Sequence, residues 1–386
     1  MNLDLSNINK VAAITFYGRS GSVFFQSLLD SHPNIITIPG TYVMGFNDFW
    51  ILEASNSSKE DIIIKFINRY DVLFNAKSHV PIYGSGENAG IELGFDSMGS
   101  QRNEAISIDR QRFFAHLNRI LVGTSTPSRK DFFKAIHIAY FYALHDRYNS
   151  DYEPIIIFQL HTPAQSRAIQ LLKDFPETIY LNTVREPVQT FSSHLKMGLN
   201  SGSLTHDNVL YCLRHALTGG TPIFEELRHQ SWAIKLEDLH NRPEKILSAV
   251  CKVLDIPWHQ ALMSSTFNGK LWWNVRVSEQ VNGFTDKIIS KKNDEVLTNF
   301  DRFRLEVLFS EKNKAWDYPP FPWHDYILMR QMLEYPFKFE NLIQSQGNGE
   351  KIETRRKIRD MVSGFWEELN FGDQSSRQEI QLLRPL

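Results

Sequence analysis

The apolar positions of the chain fall into short runs, and their period switches repeatedly between strand and helix. Lys10 to Tyr17 (KVAAITFY) is a β-rich apolar run that stops at Gly18. A helical pattern follows directly in Val23-Phe24-Phe25-Gln26-Ser27-Leu28-Leu29, closed by the breakers Ser31-His32-Pro33-Asn34. A second unit runs from a strand at Pro154 to Leu160 through a helix at Ala164 to Leu172. It reaches an apolar run at Thr178 to Val184 and a helix from Pro187 to Lys196. Pro187 suits a first helical turn, where its missing N–H is not needed. A strand at Ser231 to Leu236 and a helix at Pro243 to Leu254, ended before Pro257, complete the series. This alternation predicts an α/β fold: a three-layer, doubly wound parallel sheet flanked by helices.

Residues 41–150 interrupt the series. They predict helices at 60–74, 107–122 and 129–146, with Ser107 and Ser128 as N-caps. Between the first two runs a glycine-rich polar stretch, Tyr83 to Ser100, too long for a simple connector. Such loops serve as lids or binding loops, or are merely loose. Beyond residue 295 the pattern is helical, broken by Pro319 to Trp323, and the polar tail after Phe371 is expected to be loose. The reading is one domain over 1–386, with a helical insertion at 41–150 that could act as a lid and a helical C-terminal extension at 295–386.

Composition narrows the classes. The 386 residues carry 42 basic and 44 acidic side chains, a formal net charge of -2. No overall basic field gathers nucleic acid or a polyanionic polysaccharide, so no nucleic-acid partner is expected. Cys212 and Cys251 are far apart and form no CxxC pair, which excludes a disulfide scaffold or a cysteine zinc site and suits a reducing cytosol. The start, MNLDLSNINK, has no basic region leading into an apolar run, and the most apolar runs fall far below the ~20 residues of a membrane helix. A cytoplasmic protein without a membrane partner is expected.

Two segments carry chemistry. Gly18-Arg19-Ser20-Gly21-Ser22 lies between a buried strand and a helix, which aims backbone N–H groups and the positive helix end at one spot. Arg19 adds a planar fork able to grip two phosphate oxygens, and Ser20 and Ser22 add hydroxyls. The spacing is neither GxxxxGK[ST] nor GxGxxG, so ATP hydrolysis is a poor reading, and such a turn taken alone can be purely structural. The second segment, Val184-Arg185-Glu186-Pro187 through Ser193-His194, follows a strand and opens a helix. Arg185 and Ser193, about two helical turns apart, could hold a second phosphate. The bland alternative pairs Arg185 with Glu186 or another carboxylate and leaves Ser193 on a helix surface.

Together these segments resemble the sulfotransferases that use 3′-phosphoadenosine 5′-phosphosulfate (PAPS). Tyr17-Gly18-Arg19-Ser20-Gly21-Ser22 looks like the family's loop for the 5′-phosphosulfate, with Val23 where cytosolic members have a second threonine. Arg185 through Ser193 looks like its 3′-phosphate motif, and the order of the two fits. Leu28-Leu29-Asp30-Ser31-His32-Pro33 is a run common in bacterial members, and Phe24 falls where cytosolic members set an aromatic ring against the adenine. Ile157-Phe158-Gln159-Leu160-His161-Thr162-Pro163 resembles the string that carries their histidine base, which makes His161 the catalytic candidate. The family's lysine in that string is Gln159 here, a departure for which Arg19 could compensate. Polysaccharide members use a glutamate base near the position of Ile38-Pro39-Gly40-Thr41-Tyr42, where this chain has no carboxylate. Asn268-Gly269-Lys270-Leu271-Trp272-Trp273 is similar to the loop that closes over the 3′-phosphate, although its basic residue follows the glycine; Gly269 and Lys270 are therefore candidate 3′-phosphate residues.

The resemblance covers residues 10–40 and 154–284 and implies a P-loop-like fold with PAPS as co-substrate and 3′-phosphoadenosine 5′-phosphate (PAP) as product. It implies in-line sulfuryl transfer with His161 as general base and Arg19 stabilising the leaving phosphate, with no metal required. The acceptor is expected to be a small molecule such as a secondary metabolite, through a hydroxyl or an amine. His137 and His145 lie in a helical pattern and could line its pocket, although core or surface roles are simpler. The basic run Lys351, Arg355, Arg356, Lys357 and Arg359 could dock a carrier protein or a second subunit, which would leave room for a homo-oligomer; a solvated helix face is simpler. Two rivals stay open: a nucleotide kinase-like enzyme, and a non-catalytic PAP- or PAPS-binding protein.

Overall fold

The structure is a computed structural model that describes residues 3–16, 18–81, 87–161, 173–219, 225–275, 281–289, 295–344, 348–373 and 379–384. Its centre is a six-stranded parallel sheet in the order β2-β3-β1-β4-β5-β8. The strands are β1 (Lys10–Phe16), β2 (Ile35–Thr37), β3 (Ile155–His161), β4 (Ile179–Val184), β5 (Ser231–Lys235) and β8 (Gln381–Leu382); β6 (Thr266–Phe267) and β7 (Lys270–Leu271) form a separate hairpin. Such a sheet is covered by helices on both faces, which explains why β1 and β3 are near-continuous apolar runs. The chain places β2 and β3 on one side of β1 and β4 and β5 on the other. The strand order therefore reverses at the carboxyl end of β1, the place where open α/β sheets bind ligands.

The helices that matter for the site are α1 (Ser22–Leu29), the insertion helices α2 (Lys59–Arg69), α3 (Arg110–Ile120) and α4 (Arg129–Leu144), then α5 (Pro187–Asn200), α6 (His206–Thr218), α7 (Leu236–Asn241) and α8 (Pro243–Leu254). The C-terminal extension supplies α9 (Asn299–Leu308), α10 (Tyr326–Leu333) and α11 (Asn348–Phe371). One hydrophobic core joins β1, β3, α1, the insertion helices and α8, while a second forms where α5 and α6 meet the C-terminal helices. The helix expected at 164–172 lies outside the described residues.

Two expectations need correction. Ser107 does not cap α3: it pairs with Asn75 in an antiparallel bridge, and Asp109 caps the helix by accepting from the backbone N–H groups of Gln111 and Arg112. Ser128 does cap α4, accepting from Asp131 N–H. The tail after Phe371 is not wholly loose, because Gln381–Leu382 adds a strand beside β5, and Ile380, Leu382 and Leu383 are buried. Those three side chains cover apolar surface that the edge of the sheet would otherwise expose. Within the glycine-rich stretch, residues 87–100 are pinned: Trp272 Nε1 donates to Leu93 O at 2.7 Å and Trp273 Nε1 to Gly99 O at 2.8 Å.

Candidate functional site

The loop after β1 sits at the switch point, with its backbone in the left-handed region at Gly18 (φ 68°), Arg19 (φ 53°) and Gly21 (φ 87°). The two glycines have distinct steric reasons. A Cβ on Gly18 would lie 2.2 Å from His194 Nε2, and one on Gly21 would lie 2.4 Å from Leu236 Cδ1. Ser22, Val23 and Phe24 are the first three residues of α1, whose N–H groups have no acceptor within the helix and open toward the loop. The Ser20 hydroxyl is engaged elsewhere, 3.0 Å from the Thr183 hydroxyl and buried. Of the motif's first residue, Tyr17, nothing is described.

The motif after β4 meets this loop directly. Arg19 Nε donates to Ser193 Oγ at 3.2 Å, and Arg19 Nη1 approaches Met197 S at 3.9 Å. Residues 193 and 197 are one helical turn apart, so Arg19 lies along one stripe of α5. Arg185, just beyond β4, is 7% exposed; its Nη2 donates to Ile288 O at 2.9 Å, while its Nε is buried without a partner among the described residues. Burial pulls the Arg185 pKa below the ordinary arginine value, and the nearby Glu237, Tyr318 and Glu186 oppose that pull. Glu186 does not ion-pair with Arg185; it caps α5 by accepting from Val188 and Gln189 N–H at 3.0 and 2.7 Å. Burial raises its pKa, against those two hydrogen bonds. Glu237 accepts from Glu186 N–H at 3.2 Å and from Tyr318 Oη at 2.7 Å.

His161 is the last residue of β3, paired in register with Phe16, the residue before the loop begins. Its backbone therefore stands beside the phosphate loop, while its side chain, Thr162 and Pro163 lie outside the described residues. Gln159 turns into the interior, where its Nε2 donates to Gln26 Oε1, and Gln26 Nε2 in turn donates to Thr37 Oγ1 at 2.9 Å and Ile38 O at 3.0 Å. His137 is a core residue, buried between Phe133 O and Tyr42 Oη, and burial lowers its pKa to about 4. The basic run of α11 is largely neutralised by Glu353, Glu340 and Glu334.

Two candidates are not brought to this cluster. Gly269 N–H donates to Asp30 at the far end of α1, and Lys270 Nζ donates to Ala105 O at 3.1 Å and pairs with Glu104. The segment that does cover Arg185 is 281–289: Ile288 accepts from the guanidinium, and Phe284 packs edge-on against Phe24 with ring centroids 5.5 Å apart. Phe24 is buried, and His240 stacks on it with centroids 4.6 Å apart and planes within 1°. His194 and His240 were not singled out in sequence because nothing local marks them. In the structure, Leu236 and His240, one turn apart on α7, pack on Gly21 and Phe24, three apart at the start of α1. Only the requirement for glycine at 18 and 21 hints that side chains must come in from elsewhere.

The assembly is a parallel α/β sheet with a glycine-rich loop and a helix start at its switch point, a buried arginine at the end of β4 and no nucleotide-triphosphatase lysine in the loop. A model of the sulfotransferase family matches residues 13–260, and the chain belongs to that family. Solved structures similar to it include the sulfotransferase domain from the Synechococcus PCC 7002 olefin synthase (16% identity, 87% of this chain and 98% of that one, TM-score 0.39). Others are the sulfotransferase domain from the curacin biosynthetic pathway (13%, 85% and 98%, TM-score 0.36) and sulfotransferase STF9 from Mycobacterium avium (13%, 83% and 80%, TM-score 0.33). No curated protein matches the sequence. Among the described residues no helix is long and apolar enough to cross a membrane.

Proposed function

We propose that the protein transfers the sulfuryl group of PAPS to a hydroxyl, or an amine, of a small-molecule acceptor such as a secondary metabolite, in the cytoplasm. The observation that carries this reading is the Arg19–Ser193 hydrogen bond, which joins the loop after β1 to the motif after β4, as a single bisphosphate bound by both would require. The buried, unpartnered Nε of Arg185 supports the fit, because a phosphate oxygen would satisfy it. The N–H groups at the start of α1 and the Arg19 guanidinium would hold the 5′-phosphosulfate and stabilise charge on the departing phosphate oxygen. Arg185 and Ser193 would hold the 3′-phosphate. His161 would take the acceptor's proton as its oxygen approaches sulfur, a role suited to an imidazole near neutral pH.

Calorimetric titration tests the donor site: PAP without magnesium should bind at micromolar concentration, ATP more weakly, and Arg19→Ala and Arg185→Ala should each abolish PAP binding. His161→Ala should keep PAP binding and lose transfer. A preference for ATP with magnesium would favour the kinase-like reading. Turnover in the His161 variant near that of the parent would remove the histidine mechanism.

A further inference from the structure

We propose that His240 is a further donor-binding residue, one that gives its Nε2–H to a 3′-phosphate oxygen of a nucleoside 3′,5′-bisphosphate beside Arg185. The inference rests on the nucleotide reading above and deepens it. His240 is 7% exposed and closes the last turn of α7. Its Nδ1 accepts a hydrogen bond from Thr285 N–H at 3.1 Å. A backbone N–H can only donate, so in the neutral ring the proton sits on Nε2. That Nε2 is buried and has no partner among the described residues, as is the Nε of Arg185.

The two unpartnered donors are covered by one segment: Thr285 N–H donates to His240 and Ile288 O accepts from Arg185. Arg185 is the charged group that acts on the His240 ring, and together with burial it lowers the ring's pKa to about 4, so His240 meets a ligand as a neutral donor. An acceptor able to satisfy both a guanidinium N–H and an imidazole N–H beside a buried cation is an anionic oxygen. The surroundings are aromatic: His240 stacks on Phe24, and Phe284 stands edge-on to both rings. An anion attached to a flat, apolar body fits that combination, as in a nucleotide whose phosphate lies next to its base. Stacking and the Thr285 hydrogen bond account for the ring and its Nδ1, but neither satisfies the buried Nε2–H.

The test is calorimetry with adenosine 3′,5′-bisphosphate and with AMP, which lacks the 3′-phosphate, on the full chain and on His240→Phe. The phenylalanine keeps the stack but removes the Nε2–H donor together with the acceptor of Thr285 N–H. His240→Asn, whose Oδ1 still accepts that N–H without reaching the Nε2 position, isolates the donor and should show the same selective loss. Affinity for the bisphosphate should fall on the order of tenfold to a hundredfold, the range for one hydrogen bond to a charged acceptor, while AMP affinity changes less than about twofold. His240→Gln, which restores an N–H, should bind the bisphosphate more tightly than His240→Phe. Equal losses for both ligands, or no loss for either, would overturn the assignment. So would a bisphosphate-selective loss in His240→Phe that His240→Asn does not share, because that loss would come from loosening the 281–289 segment over Arg185. If His240→Phe does not fold, the same ratio read in His240→Ala decides. A parent protein that binds neither nucleotide would remove the nucleotide reading itself and this proposal with it.

Discussion

Gly21→Ala should be among the most damaging single-methyl additions in the phosphate loop, and its cost separates into two parts. The first is conformational: at φ 87° an L-residue sits in the left-handed region, a cost of about 1–2 kcal/mol. The second is steric. The new Cβ would lie 2.4 Å from Leu236 Cδ1, a side chain that is 3% exposed and cannot swing into solvent. Overpacking of that kind adds about 1–3 kcal/mol, for a sum of roughly 2–5 kcal/mol. Gly269 supplies the control, since it has φ 73° and no atom within 4 Å of where a Cβ would go. Gly269→Ala should therefore lose only the conformational part, about 1–2 kcal/mol. Urea unfolding of both variants measures the difference. The double variant Gly21→Ala/Leu236→Ala should be more stable than the sum of its parts by about 1–3 kcal/mol, because truncating Leu236 makes room for the methyl. Equal stability of Gly21→Ala and Gly269→Ala, or strict additivity in the double variant, would refute the contact between α7 and the loop.

Two further outcomes follow from buried polar groups. His137 has a folded pKa of about 4 against an ordinary value of 6.5, so between those values the unfolded chain binds a proton that the folded one refuses. Stability should thus fall as pH drops from about 6.5 towards 4, by up to about 1.4 kcal/mol per pH unit from this residue. His137→Phe should flatten the measured slope by close to one proton; an unchanged slope would show that the ring is not buried as described. In the second core, Arg304 is fully buried against Asp301 at 2.6 Å and the carbonyl of Met332 at 2.9 Å, with its guanidinium over Phe337. Arg304→Ala should leave Asp301 charged and unpaired and cost about 3–5 kcal/mol, read by thermal or urea unfolding; a loss below about 1 kcal/mol would contradict the pairing.

Much of the sheet was legible because its signals are local. Lys10 to Phe16 forms its strand from contiguous apolar residues, and the predicted helix at Pro243 to Leu254 matches α8 end to end, its Pro marking the first turn and Asp255 the left-handed stop. The two anion segments were legible for the same reason, since each spells strand end, turn and helix start in a single stretch. Features made by distant returns of the chain were not. The strand at Gln381–Leu382 is two residues long and acquires its identity only by lying beside β5. The cover over Arg185 comes from 281–289 and not from Gly269 and Lys270, because the hairpin carrying those residues is tied by Asp30 to the opposite end of α1. No spacing in the sequence reports which end of a helix a later hairpin will find.

The C-terminal extension, which carries no candidate chemistry, still bears on the site through α5. That helix has two working faces. Val188, Phe191 and Leu195 follow helical spacing and are buried in the second core, where Phe191 meets Phe339 edge-on with centroids 5.4 Å apart. Ser193 and Met197 touch Arg19, and His194 fills the space beside Gly18. A helix gripped by a packed core on one side presents its other side with little freedom, and the 3.2 Å hydrogen bond from the loop residue Arg19 to Ser193 on that helix depends on that rigidity. The alignment of the two anion segments is thus set jointly by the sheet, which fixes where β1 and β4 end, and by the extension, which fixes the rotation of α5. Removing the extension would expose the apolar face of α5 and release that rotation. It would also take away Tyr318, which donates to Glu237 beside Arg185, so the extension is one of the two supports that hold the two segments together.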